Sequence, residues 1–288
     1  MTVAEMAVSE VSVGSVLHLE RHGEQSWLAR TFQHNHRRAI FGGCFLGQAI
    51  AAARLQTPDR VPTAMFGRFL RPGDPDQPIV YRIECVRDGR SFSERRVWGY
   101  QDETAIFDAL ISLQVETEGV THQKRAPDVR GPHESPAISD LAALYPDHVT
   151  DDLVDQLTQM SSIETRFYEP LDYLARLGPP AGKFWVRGRG TSPTTDSYAL
   201  LAYLSDYMMP GACMLPHVSS IYDPSITSVS LNHAMWFHSA SDPAAWCLHD
   251  THSPWAGSGR GLSHGHMFDA GGSLLASTSQ ELLLRSNS

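Results

Sequence analysis

The spacing of apolar and polar positions divides this chain into two runs of elements that share one plan. From Gly42 to Leu55 the stretch GGCFLGQAIAAARL carries small and apolar residues at helical spacing and few charges, which predicts a helix buried on most of its sides. Alternating, strand-like segments follow at Thr63 to Leu70, Ile79 to Arg87, Ser91 to Tyr100 and Thr104 to Val115, with the turn signals RPGD and RDGR at two of the boundaries. A helix followed by an antiparallel meander is the expected arrangement. From Thr117 to about Ser162 the pattern is broken by polar residues and by Pro132, Pro136 and Pro146, apart from a short helix expected in DDLVDQLTQM. That stretch reads as a connection between domains.

The plan then resumes. Strands are expected at Ile163 to Tyr168 and Lys183 to Arg189, a mostly apolar helix at Asp196 to Met209, and strands at Val218 to Tyr222, Ser228 to His238, Ala245 to Ser253, Gly259 to Phe268 and Ser273 to Leu284. The last hairpins share letters: Gly89-Arg90 leads through two strands to Ser112-Leu113-Gln114, as Gly259-Arg260 does to Thr278-Ser279-Gln280. Such letters are weak alone, but with the matching order of elements they point to internal duplication. The expected division is 10–118, a connection over 119–160, and 161–288.

Composition narrows the function classes. With 288 residues, 42% hydrophobic and 19% charged, the chain is globular and long enough for two modest domains. MTVAEMAVSE is acidic and lacks a basic start and an apolar core, so it is not a secretory signal and a cytoplasmic protein is expected. The terminal Arg-Ser-Asn-Ser is not a peroxisomal address. No stretch reaches the roughly 20 apolar residues that cross a bilayer. Cys44, Cys85, Cys213 and Cys247 show no CxxC spacing and are read as reduced thiols. A formal charge of −9 argues against general nucleic-acid binding.

Several motif matches lack the context their chemistry needs. Gly261-Leu-Ser-His-Gly265 matches the nucleophile-elbow pattern, but the following residues read as strand, Gly-Gly turn and strand rather than the strand, turn and helix that the elbow needs. His264 and His266 alternate on one strand face near His249 and His252, yet there is no HExxH and the fourteen histidines are spread along the chain, so solvent-facing histidines are the default. Neither a Walker A loop nor G-x-G-x-x-G occurs.

What remains is a set of polar residues on apolar elements: Asp206 within the helical run LLAYLSDYMMP, Ser230 in SVSLNHAMWFH, and Gln280 in STSQELLL. Each has an ordinary reading, Asp206 as the solvent face of an amphipathic helix and the others as tolerated strand residues. An ionised carboxylate buried in apolar surroundings costs several kcal/mol unless it is paired, so a functional reading competes. Carboxylate, hydroxyl and amide meeting at one point could orient a single water as nucleophile.

These residues lie in motifs that resemble the type II acyl-CoA thioesterases, which carry two hotdog folds in one polypeptide. The motifs are FGGCFLGQA, FLRPGDPDQPIVY and RDGRSFSERRV in the first half, and AYLSDYMMP, SLNHAMWFH and SLLASTSQE in the second, covering nearly the whole chain. The resemblance implies an α+β fold of two tandem hotdogs, each antiparallel sheet wrapped around a central helix and the two sheets pairing. It implies hydrolysis of fatty acyl-CoA to free acid and CoA, with Asp206, Ser230 and Gln280 at the family's catalytic positions. It also implies an acyl-CoA substrate, no cofactor or metal, and a homodimer or homotetramer.

Asp206 would act as general base on a water held by Gln280 and Ser230, with no covalent acyl-enzyme. Backbone N–H groups at a helix start would polarise the carbonyl, and the Gly42-Gly43 start permits close approach. The chain departs from the family pattern at Cys44, Phe66 and Asn232, the first two of which are expected to reshape an acyl or pantetheine pocket. Arg37, Arg38, Arg71, Arg95, Arg96, Arg187 and Arg189 are candidates for the CoA phosphates. A non-hydrolytic acyl-CoA or acyl-carrier-protein binding paralogue, and a hotdog dehydratase or hydratase, are the alternatives.

Overall fold

The computed structural model describes residues 11–35 and 38–287. The N-terminal decapeptide, Arg37 and Ser288, on which parts of the sequence reading fell, lie outside the described residues. A short helix α1 (Val13–Val16) leads into β1 (Glu20–Gly23), β2 (Ser26–Ala29), helix α2 (Gly42–Gln56), and the strands β3 (Val61–Phe69), β4 (Ile79–Asp88), β5 (Phe92–Gln101) and β6 (Thr104–Gln114). The connection holds α3 (Leu141–Leu144) and α4 (Asp151–Thr158). Next come β7 (Ile163–Phe167), α5 (Pro170–Leu174), β8 (Ala181–Gly188), α6 (Ser197–Ser205) and α7 (Met209–Met214). The chain closes with β9 (Ile226–Phe237), β10 (Cys247–Gly257), β11 (Arg260–Asp269) and β12 (Leu274–Ser286).

Among the described residues the strands form one 12-stranded antiparallel sheet in the order β1-β2-β4-β5-β6-β3-β9-β12-β11-β10-β8-β7. Read inward from either edge the connectivity is the same, and the halves meet where β3 pairs with β9, Gly67 opposite His233 and Ala64 opposite Trp236. Duplication is thus visible strand for strand, including β1 and β2, which the sequence reading missed. The exposed ERHG of β1 has no apolar alternation to betray it. This is the expected tandem hotdog architecture.

Helix α2 is buried on nearly all sides, as its composition predicts, and packs on β3 to β6 and on α6. The two helices are antiparallel. At one end the Asp196 side chain caps α6 by accepting from the Tyr198 and Ala199 N–H groups at 3.0 Å, and it also forms an ion pair with Arg54 in the last turn of α2. Small residues set the helix separation: a methyl on Gly43 would collide with the Tyr203 carbonyl, and one on Gly47 would lie 2.9 Å from the Ala199 carbonyl. One hydrophobic core, with Leu46, Ile50, Met65, Phe107, Leu201, Tyr203 and Met235 at its centre, spans both halves.

The structure corrects two expected elements. The helix expected at Asp196 to Met209 ends at Ser205, because Pro210 disfavours continuation: its ring would meet the carbonyl of residue 206, and the residue before it is pushed out of the helical region. Met208 takes a left-handed conformation (φ 59°) and α7 begins at the next residue. The strand expected at Val218 to Tyr222 is a chain of turns between Pro216 and Pro224, with apolar Val218 buried from it. The connection is also more engaged than its polarity suggests: Leu141, Val149, Leu157 and Met160 enter the common core, and Gln159 accepts a hydrogen bond from Gln33 of the first half at 3.0 Å.

Candidate active site

Because α6 stops at Ser205, Asp206 sits at a helix end rather than inside a helix, and its carboxylate reaches the opposite end of the antiparallel partner. Helix α2 starts at Gly42 with Phe41 as its cap residue and no side-chain cap of its own. The Gly43 N–H instead donates to the Asp206 carboxylate, supplied from the other half of the molecule. Gly42 makes room for this: a Cβ there would lie 2.6 Å from Asp206 Oδ2. A carboxylate at a helix N-terminus meets orphan N–H donors and the positive end of the helix dipole.

Ser230 and Gln280 come to the same point. Ser230 Oγ lies 3.5 Å from Asp206 Oδ1, and Gln280 Nε2 donates to Ser230 Oγ at 2.7 Å. Strand alternation alone would turn Ser230 to the face opposite His233. A β-bulge at Leu231, where the register jumps between the Asn232–Glu281 and Ser230–Leu282 pairs, rotates Ser230 back toward Gln280. Asn232, beyond the bulge, points outward and donates to Glu281 at 2.9 Å.

Asp206 is only 6% exposed, and burial pushes its pKa up from 3.8 to about 6, against the hydrogen bonds from Gln280, the Gly43 N–H and Ser230 that favour the charged form. The carboxylate is therefore ionised at neutral pH but poised near it, as a general base should be. It borders a cavity of about 640 Å³ whose walls include Phe41, Phe45, Phe69, Met160, Met208, Met214 and Tyr222. The volume and the apolar lining with a few convergent polar groups fit a small-molecule site. Gln156, Gln159 and Met160, in and just beyond α4 of the connection, form part of one wall, a contribution the sequence reading did not anticipate.

A family model described as the acyl-CoA thioesterase N-terminal domain matches residues 33–114, and its counterpart for the C-terminal domain matches 139–284. Acyl-coenzyme A thioesterase 8 of Rattus norvegicus is 35% identical over 96% of this chain and 89% of its own length. The chain belongs to the type II acyl-CoA thioesterase family. Acyl-CoA thioesterase 2 of Haemophilus influenzae is 32% identical over 86% of the chain and 88% of the relative. The crystal structure of an acyl-CoA thioesterase II from Mycobacterium marinum superposes with a TM-score of 0.74 at 30% identity, covering 96% of this chain and 97% of that one.

In this thioesterase the departures from the family pattern fall away from the cavity wall. Phe66 is 46% exposed on the outer face of β3, edge-on to Trp236, so it cannot shape the cavity as expected. Cys44 is buried in α2 with its thiol toward the Gln33 carbonyl, and burial pushes that thiol up to about 12, which keeps it protonated. Of the arginine candidates, Arg71 lines the cavity, whereas Arg95, Arg96 and Arg187 are paired with Asp88, Asp108 and Glu164. Ser263 of the elbow-like motif is buried in β11 and donates to the Met209 carbonyl at 2.8 Å, which is no place for a nucleophile. His252 and His264 form a cross-strand pair, His249 is buried on the same strand β10, and the described residues contain no cluster of metal-ligating side chains.

Proposed function

We propose that Asp206, Ser230 and Gln280 carry out the hydrolysis of acyl-CoA thioesters to free fatty acid and CoA in this enzyme. The observation that carries the reading is their convergence: Asp206 and Ser230 line an apolar cavity beside the N-terminus of α2, and the buried Gln280 donates to Ser230 without lining it. Asp206 takes the proton of a water that Ser230 and Gln280 hold, and the water attacks the thioester carbonyl. The positive end of α2 faces the same cavity and stabilises the oxyanion as it develops. A thioester has little resonance protection, so a positioned water suffices without a covalent intermediate. Arg71 on the cavity wall is the proposed contact for a CoA phosphate.

The direct test is release of free thiol from acyl-CoAs of increasing chain length. Turnover on some member of the series supports the reading, and binding without turnover on every member would favour the non-hydrolytic alternative. A dehydratase reading finds no support in the cavity, since no described histidine lines it.

Three kinetic consequences follow from the geometry. The base must be ionised, so kcat/KM is expected to fall about tenfold per pH unit below about 6. Gln280 lowers the Asp206 pKa, so Gln280→Ala should move that acid limb upward in a pH–rate profile, and an unmoved limb would separate the two groups. Ser230→Ala and Gln280→Ala should each cost less than loss of the base, and their double mutant less than the product of the singles if one water is shared. Strict additivity in the four-member cycle would mean that they hold different things.

We also propose a homodimer or homotetramer and a cytoplasmic location. The outward Phe66 and Trp236 at the β3–β9 seam offer an apolar patch for a second copy. No helix among the described residues is long and apolar enough to cross a membrane.

A further inference from the structure

The triad accounts for only part of the polar chain that ends at Asp206. Gln280 sits directly opposite His233 in the β12–β9 ladder, and its Oε1 lies 2.6 Å from His233 Nδ1. The other ring nitrogen, Nε2, lies 3.0 Å from Ser205 Oγ. Ser205 immediately precedes Asp206, so the chain leaves α6, crosses β9 and β12, and returns to the residue next door. His233 is 1% exposed and Gln280 and Ser205 are completely buried, so no solvent competes for these bonds.

The proton directions in this chain follow from its Asp206 end. An ionised carboxylate only accepts, so Ser230 must present its hydroxyl hydrogen, and Gln280 its amide nitrogen, toward Asp206. Ser230 Oγ then receives the Gln280 amide N–H, which leaves Gln280 Oε1 facing His233. An amide oxygen also only accepts, so His233 must carry its proton on Nδ1. Burial lowers the His233 pKa to about 4, which keeps the ring neutral at working pH and makes Nε2 an acceptor. The single Ser205 hydroxyl hydrogen has two acceptors in reach, the Ala202 carbonyl at 2.8 Å and Nε2 at 3.0 Å, and with the ring proton on Nδ1 it is shared toward Nε2, which closes the chain.

We propose that His233 is a positioning residue for hydrolysis, its Nδ1–H fixing the Gln280 amide so that the nitrogen end faces Ser230, Asp206 and the attacking water. An amide is nearly symmetric in shape, and without a donor at its oxygen end it can rotate by half a turn. Such a rotation sets an acceptor against the carboxylate and removes the donor that Ser230 uses. His233 touches neither substrate nor water and acts through Gln280 alone. The inference rests on the proposed roles of Asp206 and Gln280.

The test uses His233→Asn, whose side-chain nitrogen overlies Nδ1 and keeps the donor, against His233→Gln and His233→Leu, which lose it there. Thiol release is followed under saturating and limiting acyl-CoA, with thermal melts for each variant. His233→Leu and His233→Gln are expected to lower kcat by about 10- to 100-fold, in line with small misplacements of catalytic groups, while KM stays within about twofold. His233→Asn should recover most of that loss. Because His233 acts through Gln280, Gln280→Ala combined with His233→Leu should be no slower than Gln280→Ala alone.

Wild-type kcat in His233→Gln would overturn the inference, as would an additive double mutant or equal losses in all three variants at unchanged melting temperature. If His233→Leu fails to fold, the Asn and Gln variants decide. Asp206→Asn serves as the companion control. Full turnover there would remove the site assignment and this inference with it, whereas an inactive Asp206→Asn beside a fully active His233→Gln would remove this inference alone.

Discussion

Asp206→Asn should abolish most turnover while leaving the fold at least as stable. The substitution keeps the shape and removes the proposed base, and loss of a general base is expected to cost about 10² to 10⁴ in rate. The stability expectation follows from the same burial. In the folded protein the Asp206 pKa is raised from 3.8 to about 6, so the native state binds this proton more tightly than the unfolded chain does. Stability from this group is fully present below about pH 4 and is lost as pH rises through about 6. At neutral pH the ionised carboxylate therefore costs at most about 3 kcal/mol, at roughly 1.4 kcal/mol per pKa unit. Asn escapes this cost, although it can no longer accept as many hydrogen bonds. Paired melts should show the mutant equal to or above wild type at pH 7.5, with the gap closing at pH 4. A mutant that turns over acyl-CoA at the wild-type rate would end the assignment of Asp206 as base.

Gly43→Ala carries the second large expectation, because one atom would disturb both packing and chemistry. A methyl there meets the Tyr203 carbonyl and the Phe41 ring, and a backbone carbonyl cannot swing aside as a flexible side chain can. Overpacking of this kind costs about 1–3 kcal/mol, which in a chain of this size lowers the melting temperature by roughly 2–4 °C per kcal/mol. Forcing α2 away from α6 also withdraws the Gly43 N–H from Asp206, so turnover should fall by at least about tenfold. Gly47→Ala is the matched control: it strains the same helix pair one turn away, against Leu17 and the Ala199 carbonyl, without touching the site. Stability should drop in both variants and activity chiefly in Gly43→Ala. Equal activity losses would mean that helix packing in general, rather than the Gly43 N–H, governs the rate.

Both predictions depend on where α6 ends, and the sequence reading overran that point. Pro210 was visible in AYLSDYMMP, yet the apolar run on either side outweighed it. A proline stops a helix as much as a turn before itself, and the break is what frees Asp206 to reach α2. The strand expected at Val218 to Tyr222 failed for the opposite reason: apolar residues at short spacing also arise when a loop between prolines tucks single side chains into a core. His233 went unnoticed because its partners are remote in sequence. Gln280 lies 47 residues away and Ser205 28, and nothing local marks a histidine as the donor to either.

The sequence by itself determined the repeated order of helix and strands, because hydrophobic period is a local property that each segment states for itself. The halves therefore show as a duplication even though two edge strands do not. The resemblance, carried by contiguous motifs, likewise named Asp206, Ser230 and Gln280. Only the tertiary structure decided how these residues meet. The bulge at Leu231 is a property of two paired strands, and without it Ser230 faces outward. The cap on α2 is a carboxylate from the other half, and the cavity wall borrows Gln156, Gln159 and Met160 from the connection. Burial, and with it the raised pKa of Asp206, depends on how many elements crowd a point, and no single segment of chain contains that information.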